Sequence, residues 1–168
     1  MIIAQLSDLD VQPAGHRAYV IVYTNRLLEA AISQLHRLQP QPDLVVATGD
    51  LVDERTEAEY TMLKSLLAPL RAPLYLAMGN HDDRTAFRTG FPNLPYLPPH
   101  GLVHYVLEEY PVRLIVVDTL VEGEGYGDME AERQAWKEKQ TGRATVWEKV
   151  KLLGVAESAT KKTNTIND

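Results

Sequence analysis

Three short stretches of this 168-residue chain combine carboxylates, an amide and an imidazole beside serine or glycine: Ser7-Asp8-Leu9-Asp10, Gly49-Asp50-Leu51-Val52-Asp53 and Gly79-Asn80-His81-Asp82. A fourth carboxylate, Asp118, closes the apolar run that starts at Val112. If Asp8, Asp50 and Asn80 converge, two carboxylates about 5 Å apart at an effective dielectric of 20 repel each other by roughly 3 kcal/mol. A bound cation turns that repulsion into attraction. Two cations tied by one bridging carboxylate, about 3.5 to 4 Å apart, activate water and polarise phosphoryl oxygens. A single Asp or Asn after a strand is usually a turn or cap residue, but three such clusters in succession argue for a shared site. Gly49 and Gly79 allow tight turns just before Asp50 and Asn80.

Positioning these groups requires strands that end together. The short apolar runs Ile2 to Leu6, Asp43 to Thr48 and Pro73 to Met78 predict buried strands, each leading into one of the clusters. Between the first two, Leu27, Leu28, Ala31, Ile32, Leu35 and Leu38 recur at helical spacing from Thr24 to Leu38, with Thr24 or Asn25 as the cap. Glu57 to Leu70 repeats the pattern through Tyr60, Leu63, Leu66, Leu67 and Leu70. Strand, helix, strand predicts parallel crossovers, which put all three clusters at the sheet edge where open α/β sheets bind ligands.

Phe91 to His100 holds four prolines and predicts an irregular loop. His104 to Tyr110 and Val112 to Asp118, parted by Pro111, predict a β-hairpin. From Leu120 the character changes. Glu122 to Gly127 is acidic and glycine-rich, Met129 to Gln140 predicts a charged helix, and Lys161 to Asp168 predicts a frayed tail. Ala144 to Val155 predicts another amphipathic helix through Val146, Val150 and Leu153, weakened by Gly154. The expected class is α/β, organised as residues 1–119 followed by an atypical helical, partly flexible segment over 120–168.

Composition narrows the chemistry. The chain has no cysteine, so any metal is held by oxygen and imidazole ligands. A formal charge of −6 argues against a broad basic grip on a nucleic-acid polymer, and an anionic substrate then needs local positive charge, for which a cation is an economical source. The apolar runs are far shorter than the roughly 20 residues of a membrane span. Met1-Ile2-Ile3-Ala4 lacks a basic leader, so a cytoplasmic location is the expectation.

In order and spacing the three clusters resemble the D-x-H, G-D-x-x-D and G-N-H-[DE] motifs of calcineurin-like metallophosphoesterases. The text from Thr48 to Asp53, from Pro73 to Leu76 and from Gly79 to Asp83 is similar to the bacterial branch acting on cyclic nucleotides and glycerophosphodiesters. The resemblance spans Met1 to Thr119 and implies the first half of a metallophosphoesterase sandwich, with hydrolysis of a small phosphodiester. It further implies two divalent ions, Mn, Fe or Zn. Asp8 would ligate the first, Asp50 would bridge both and Asn80 would ligate the second. His81 would be catalytic, either protonating the leaving oxygen or steadying the phosphate.

Two departures modify that picture. Position 10 holds Asp where the family has His. Either Asp10 still ligates, as a harder donor that favours Mn²⁺ or Mg²⁺ over Zn²⁺ or iron, or the position is lost as a ligand. The family also supplies later histidines, including a G-H-x-H motif, whereas no histidine follows His104 here. His16 is a candidate to line the site, His36 is expected to be a solvated helix residue, and His100 and His104 are expected in loop or surface roles. Glu122, Glu124 and Asp128 are either substitute ligands or a solvated acidic loop. A missing second half-sheet would leave one face uncovered, which predicts self-association into a homo-oligomer. The competing functional reading is a remodelled, catalytically impaired relative serving as a binding or interaction module.

Overall fold

The computed structural model describes residues 1–18, 21–141 and 150–154, the last stretch as backbone only. Strand β1 (Ile3–Ser7), helix α1 (Thr24–Leu35), strand β2 (Leu44–Thr48), helix α2 (Glu57–Leu67) and strand β3 (Leu74–Ala77) form two consecutive crossovers. The strands lie in the order β1-β2-β3, all parallel, with Ser7 opposite Thr48 and Thr48 opposite Ala77. Their C-terminal ends therefore coincide, as the strand-helix alternation predicts.

The sheet is apolar on both faces, and β2 is buried along its whole length. One face carries Ala47, Leu76 and Met78 against Leu28 and Ile32 of α1, Tyr60 and Leu63 of α2, and Phe87 of helix α3 (Arg84–Gly90). The opposite face, with Leu44, Val46, Tyr75 and Ala77, packs on Tyr105, Leu107, Leu114 and Val116. Those four belong to strands β4 (Tyr105–Leu107) and β5 (Arg113–Val117), the expected antiparallel hairpin. Burial of a Val- or Leu-sized side chain is worth about 1.5–3 kcal/mol, so each layer contributes substantially to holding the strand ends in place.

Two expectations are corrected here. The face of β1-β2-β3 predicted to lie uncovered is covered by β4 and β5, which removes the exposed-face argument for self-association at this surface. After helix α4 (Ala131–Thr141), residues Val150–Gly154 form strand β6, parallel to β5 with Val150 opposite Arg113, where a helix over Ala144 to Val155 was expected. The open edge of β5 offers a row of backbone partners, and that non-local pairing outweighs a helical preference already weakened by Gly154. The remainder of the expected helix, and the tail from Lys161, lie outside the described residues.

Candidate metal centre

The loop after β1 continues along the loop after β2. Asp8 N–H donates to the Thr48 carbonyl at 3.1 Å, Asp10 N–H to the Asp50 carbonyl at 2.9 Å, and Val11 N–H to the Leu51 carbonyl at 3.3 Å. Asp8 and Asp10 reach these partners with φ of 53° and 42°, left-handed values that Asp tolerates better than most residues. Gly49 sits at φ 72°, as a tight turn requires. Gly79 is needed for a different reason: a methyl group there would collide with the backbone nitrogen and carboxylate of Asp50. The glycine lets the two loops meet.

α1 holds this arrangement from behind. Thr24 and Asn25, expected as its cap, do not cap it. Thr24 Oγ1 instead donates to the Asp10 carbonyl at 2.7 Å, while Asn25 accepts from Gln12 N–H at 3.0 Å and donates to the Gln12 carbonyl at 2.8 Å. Gln12 Nε2 in turn donates to the Asp53 carboxylate. Asp82 secures the third loop: its buried carboxylate accepts from Gly79 N–H at 2.7 Å, Leu51 N–H at 3.0 Å and the Tyr60 hydroxyl at 2.8 Å.

These constraints bring Asp10, Asp53 and His81 together, with one ligand-capable atom of each within 4.8 Å of the others. Asp50 adjoins them, its Oδ1 accepting from His81 N–H at 2.9 Å. Asp8 stands against Gly49 at the same edge. The Asn80 carbonyl accepts from Arg55 at 2.8 Å. His81 Nδ1 lies 3.0 Å from the Asp53 carbonyl, which can only accept, so Nδ1 carries the proton and Nε2 is left for a second proton or a cation. Burial pulls the His81 pKa down, but the Asp53 carbonyl and the Asp50, Asp10 and Asp53 carboxylates push harder, and the net direction is up.

Asp10 is the group for which the protein provides least. It is only 8% exposed, and its Oδ1 is buried without a hydrogen-bond partner. Burial and the charge of Asp50, partly offset by His81 and reinforced by Asp53 and Asp8, push its carboxyl up to about 6. A buried carboxylate oxygen without a donor, among like charges, is costly unless a cation completes it. The donor set of two carboxylates and one imidazole within one small volume fits a divalent ion of the harder kind.

Other sequence candidates lie elsewhere. His16 is exposed in the loop beyond Gln12, and His100 is exposed, as expected of it. His36 ends α1 with Nε2 buried and unpartnered, so it is not the solvated side chain expected. His104, expected in a loop or surface role, lies in the loop just before β4, where it stacks on Trp136 at 4.5 Å and accepts from Asp118 N–H at 3.0 Å. Glu122 pairs with Arg84 at 2.9 Å rather than approaching the cluster. Asp118 is likewise closed off, held by Arg84 at 2.7 and 2.8 Å. The sequence names Asp53 within the Gly49–Asp53 cluster without a role of its own, and it does not single out Gln12. The only available signal for Asp53 was its place three residues after Asp50 in one motif; Gln12 offered none.

Comparison with known proteins gives the family. The calcineurin-like phosphoesterase family matches residues 1–156. The chain is 34% identical over 143 residues to a probable glycerophosphodiester phosphodiesterase of Arcobacter nitrofigilis, covering 85% of this chain and 52% of that protein. It is 38% identical over 117 residues to a probable cyclic nucleotide phosphodiesterase of Rhodopseudomonas palustris, covering 70% and 42% respectively. It is 32% identical over 139 residues to a cAMP/cGMP dual specificity phosphodiesterase of Mycobacterium tuberculosis, covering 80% and 43%. The chain thus spans about half the length of these relatives. Among the described residues, no helix is long and apolar enough to cross a membrane.

Proposed function

Because the chain belongs to the calcineurin-like phosphoesterase family, we propose that it is a metal-dependent phosphoric diester hydrolase for a small phosphodiester, such as a 3',5'-cyclic nucleotide or a glycerophosphodiester. The observation that carries this reading is the buried, partnerless Oδ1 of Asp10 facing its carboxylate neighbours. Asp10, Asp53 and His81 would hold one divalent ion, and Asp8, Asp50 and Asn80 would extend the set to a second, with Mn²⁺ favoured by the oxygen-rich donors. When bound, such ions supply Lewis acidity toward phosphoryl oxygens and lower the pKa of water.

The chain's own residues supply orientation and a proton. His81 is fixed by two bonds, from its N–H to Asp50 and from Nδ1–H to the Asp53 carbonyl, so its Nε2 has a set direction. The imidazolium of His81 is the form that donates a proton to a leaving alkoxide or a hydrogen bond to a phosphoryl oxygen. Where His81 serves as an ion ligand, it does so as neutral imidazole, so the donor role and the ligand role belong to different protonation states. The test is metal content after Mn²⁺ loading, together with hydrolysis of a bis-aryl phosphodiester. At least one tightly held ion per chain and metal-dependent turnover are expected. Less than one ion per chain with no turnover would sink the reading.

One observation favours a second reading, a cation-binding relative without turnover: Asp10 occupies the position where the family motif has an imidazole. Stoichiometric Mn²⁺ binding with hydrolysis no faster than in chelator would select it.

A further inference from the structure

Arg55 lies two residues beyond Asp53 and has φ 65°, a left-handed conformation that residues other than Gly, Asn and Asp seldom adopt. Glu59, itself buried, imposes it. Its carboxylate accepts from the amides on either side of Arg55, Glu54 N–H at 3.1 Å and Thr56 N–H at 2.8 Å. The Thr56 bond belongs to the Thr56–Glu59 capping box that starts α2 and the Glu54 bond is added by the same carboxylate, so the helix start and the twist at Arg55 are one construction.

The twist sends the guanidinium toward the third loop, where Nη2 donates to the Asn80 carbonyl at 2.8 Å. Among the described residues this is its one hydrogen bond, and it forms no ion pair despite the nearby carboxylates. An arginine placed only for charge would fork a carboxylate. This one is held on a peptide carbonyl, in a backbone conformation of the kind that persists where surroundings over-determine it.

What that carbonyl needs follows from the other ties on the same turn. His81 is joined to the β2 loop through Asp50 and the Asp53 carbonyl, and Asp82 joins Gly79 to Leu51. Asn80 lies between them and has no tie except Arg55 among the described residues. We infer that Arg55 is a positioning residue of the cation centre. It holds the Asn80 peptide so that Asn80 and His81 face the Asp50–Asp53 loop at a fixed separation. The inference rests on reading that cluster as a metal site.

The experiment uses the full chain with Mn²⁺ alone as the probe, comparing wild type, Arg55→Gly and Arg55→Lys by titration calorimetry and by thermal unfolding in chelator. Arg55→Gly removes the guanidinium while relieving the left-handed backbone, so folding should not suffer. Its Mn²⁺ affinity is expected to fall roughly 10-fold, in the range for losing a group that orients a ligand, with the thermal midpoint unchanged or higher. Arg55→Lys, which can still reach a carbonyl, is expected to lie between the two. Wild-type affinity in Arg55→Gly overturns the inference, and so does an affinity loss matched by a fall in thermal midpoint. A wild type that binds no Mn²⁺ overturns both the metal reading and this inference, and that result is separable because it precedes any substitution.

Discussion

Asp10 and Asp118 are both buried aspartates a short way beyond a strand, and their surroundings are opposite. Asp118 receives four hydrogen bonds, two from Arg84, one from Val103 N–H at 2.8 Å and one from Leu120 N–H at 3.0 Å. Burial alone would raise its pKa, but the bonds from Arg84 and Val103 outweigh it and the carboxyl is held below its ordinary range. Asp10 has an oxygen with no donor and three carboxylates as neighbours, and its pKa moves up instead. Placement near a strand end is common to both. On the proposed reading, what separates a ligand from a structural brace is whether the protein has already supplied donors to the carboxylate.

The contrast can be broken most sharply at the open end. Asp50→Asn is expected to reduce Mn²⁺-dependent phosphodiester hydrolysis by more than about 100-fold, since even groups that merely orient ligands cost up to that much; steady-state rates at saturating Mn²⁺ check it. At the closed end, Asp118→Asn removes the buried partner of a largely buried Arg84 and leaves it only the exposed Glu122 as an ionic partner. A loss of about 3 kcal/mol follows, read as a thermal midpoint lowered by roughly 6–12 °C. The pH dependence has a definite sign. A depressed folded-state pKa means that the contribution of Asp118 is present above the unfolded value near 3.9 and is lost as pH falls through the folded value, so wild type and variant should converge in acid.

Asp10→Asn should behave in the reverse way. In chelator it removes like-charge repulsion and is expected to stabilise by about 1 kcal/mol, a figure discounted for partial solvent screening. At Mn²⁺ concentrations near 100 times the dissociation constant, wild type gains about 2.7 kcal/mol and the order inverts. Thermal scans with and without Mn²⁺ would show the crossing. The smallest effect belongs to Tyr60→Phe, which removes the hydroxyl between Asp82 and Asp83 N–H. About 1 kcal/mol is expected from denaturant unfolding, with Mn²⁺ stoichiometry unchanged.

The same contrast explains what could be read from the sequence. Strand ends, crossovers and the three clusters are local patterns, with apolar spacing leading into Asp8, Asp50 and Asn80, and the parallel sheet arranges them as expected. The satisfaction of a carboxylate is not local. Arg84 lies 34 residues from Asp118, and nothing in the run from Val112 announces it. Asp53 joins Asp10 through backbone bonds that run one loop along another about 40 residues away, Asp10 N–H to the Asp50 carbonyl and Val11 N–H to the Leu51 carbonyl. The strand at Val150–Gly154 likewise depends on an edge that β5 provides from far along the chain.

The start of α1 carries one more consequence. Its two polar residues, Thr24 and Asn25, are committed to Asp10 and Gln12, so the helix begins without a side-chain cap. An uncapped first turn is a place where backbone amides open readily to solvent. Opening there would release the loop that carries Asp10, and a cation held as proposed would oppose it. Fraying of the helix end and escape of the ion would then be a single event, and the exchange rate of the first amides of α1, with and without Mn²⁺, would measure how firmly the centre is closed.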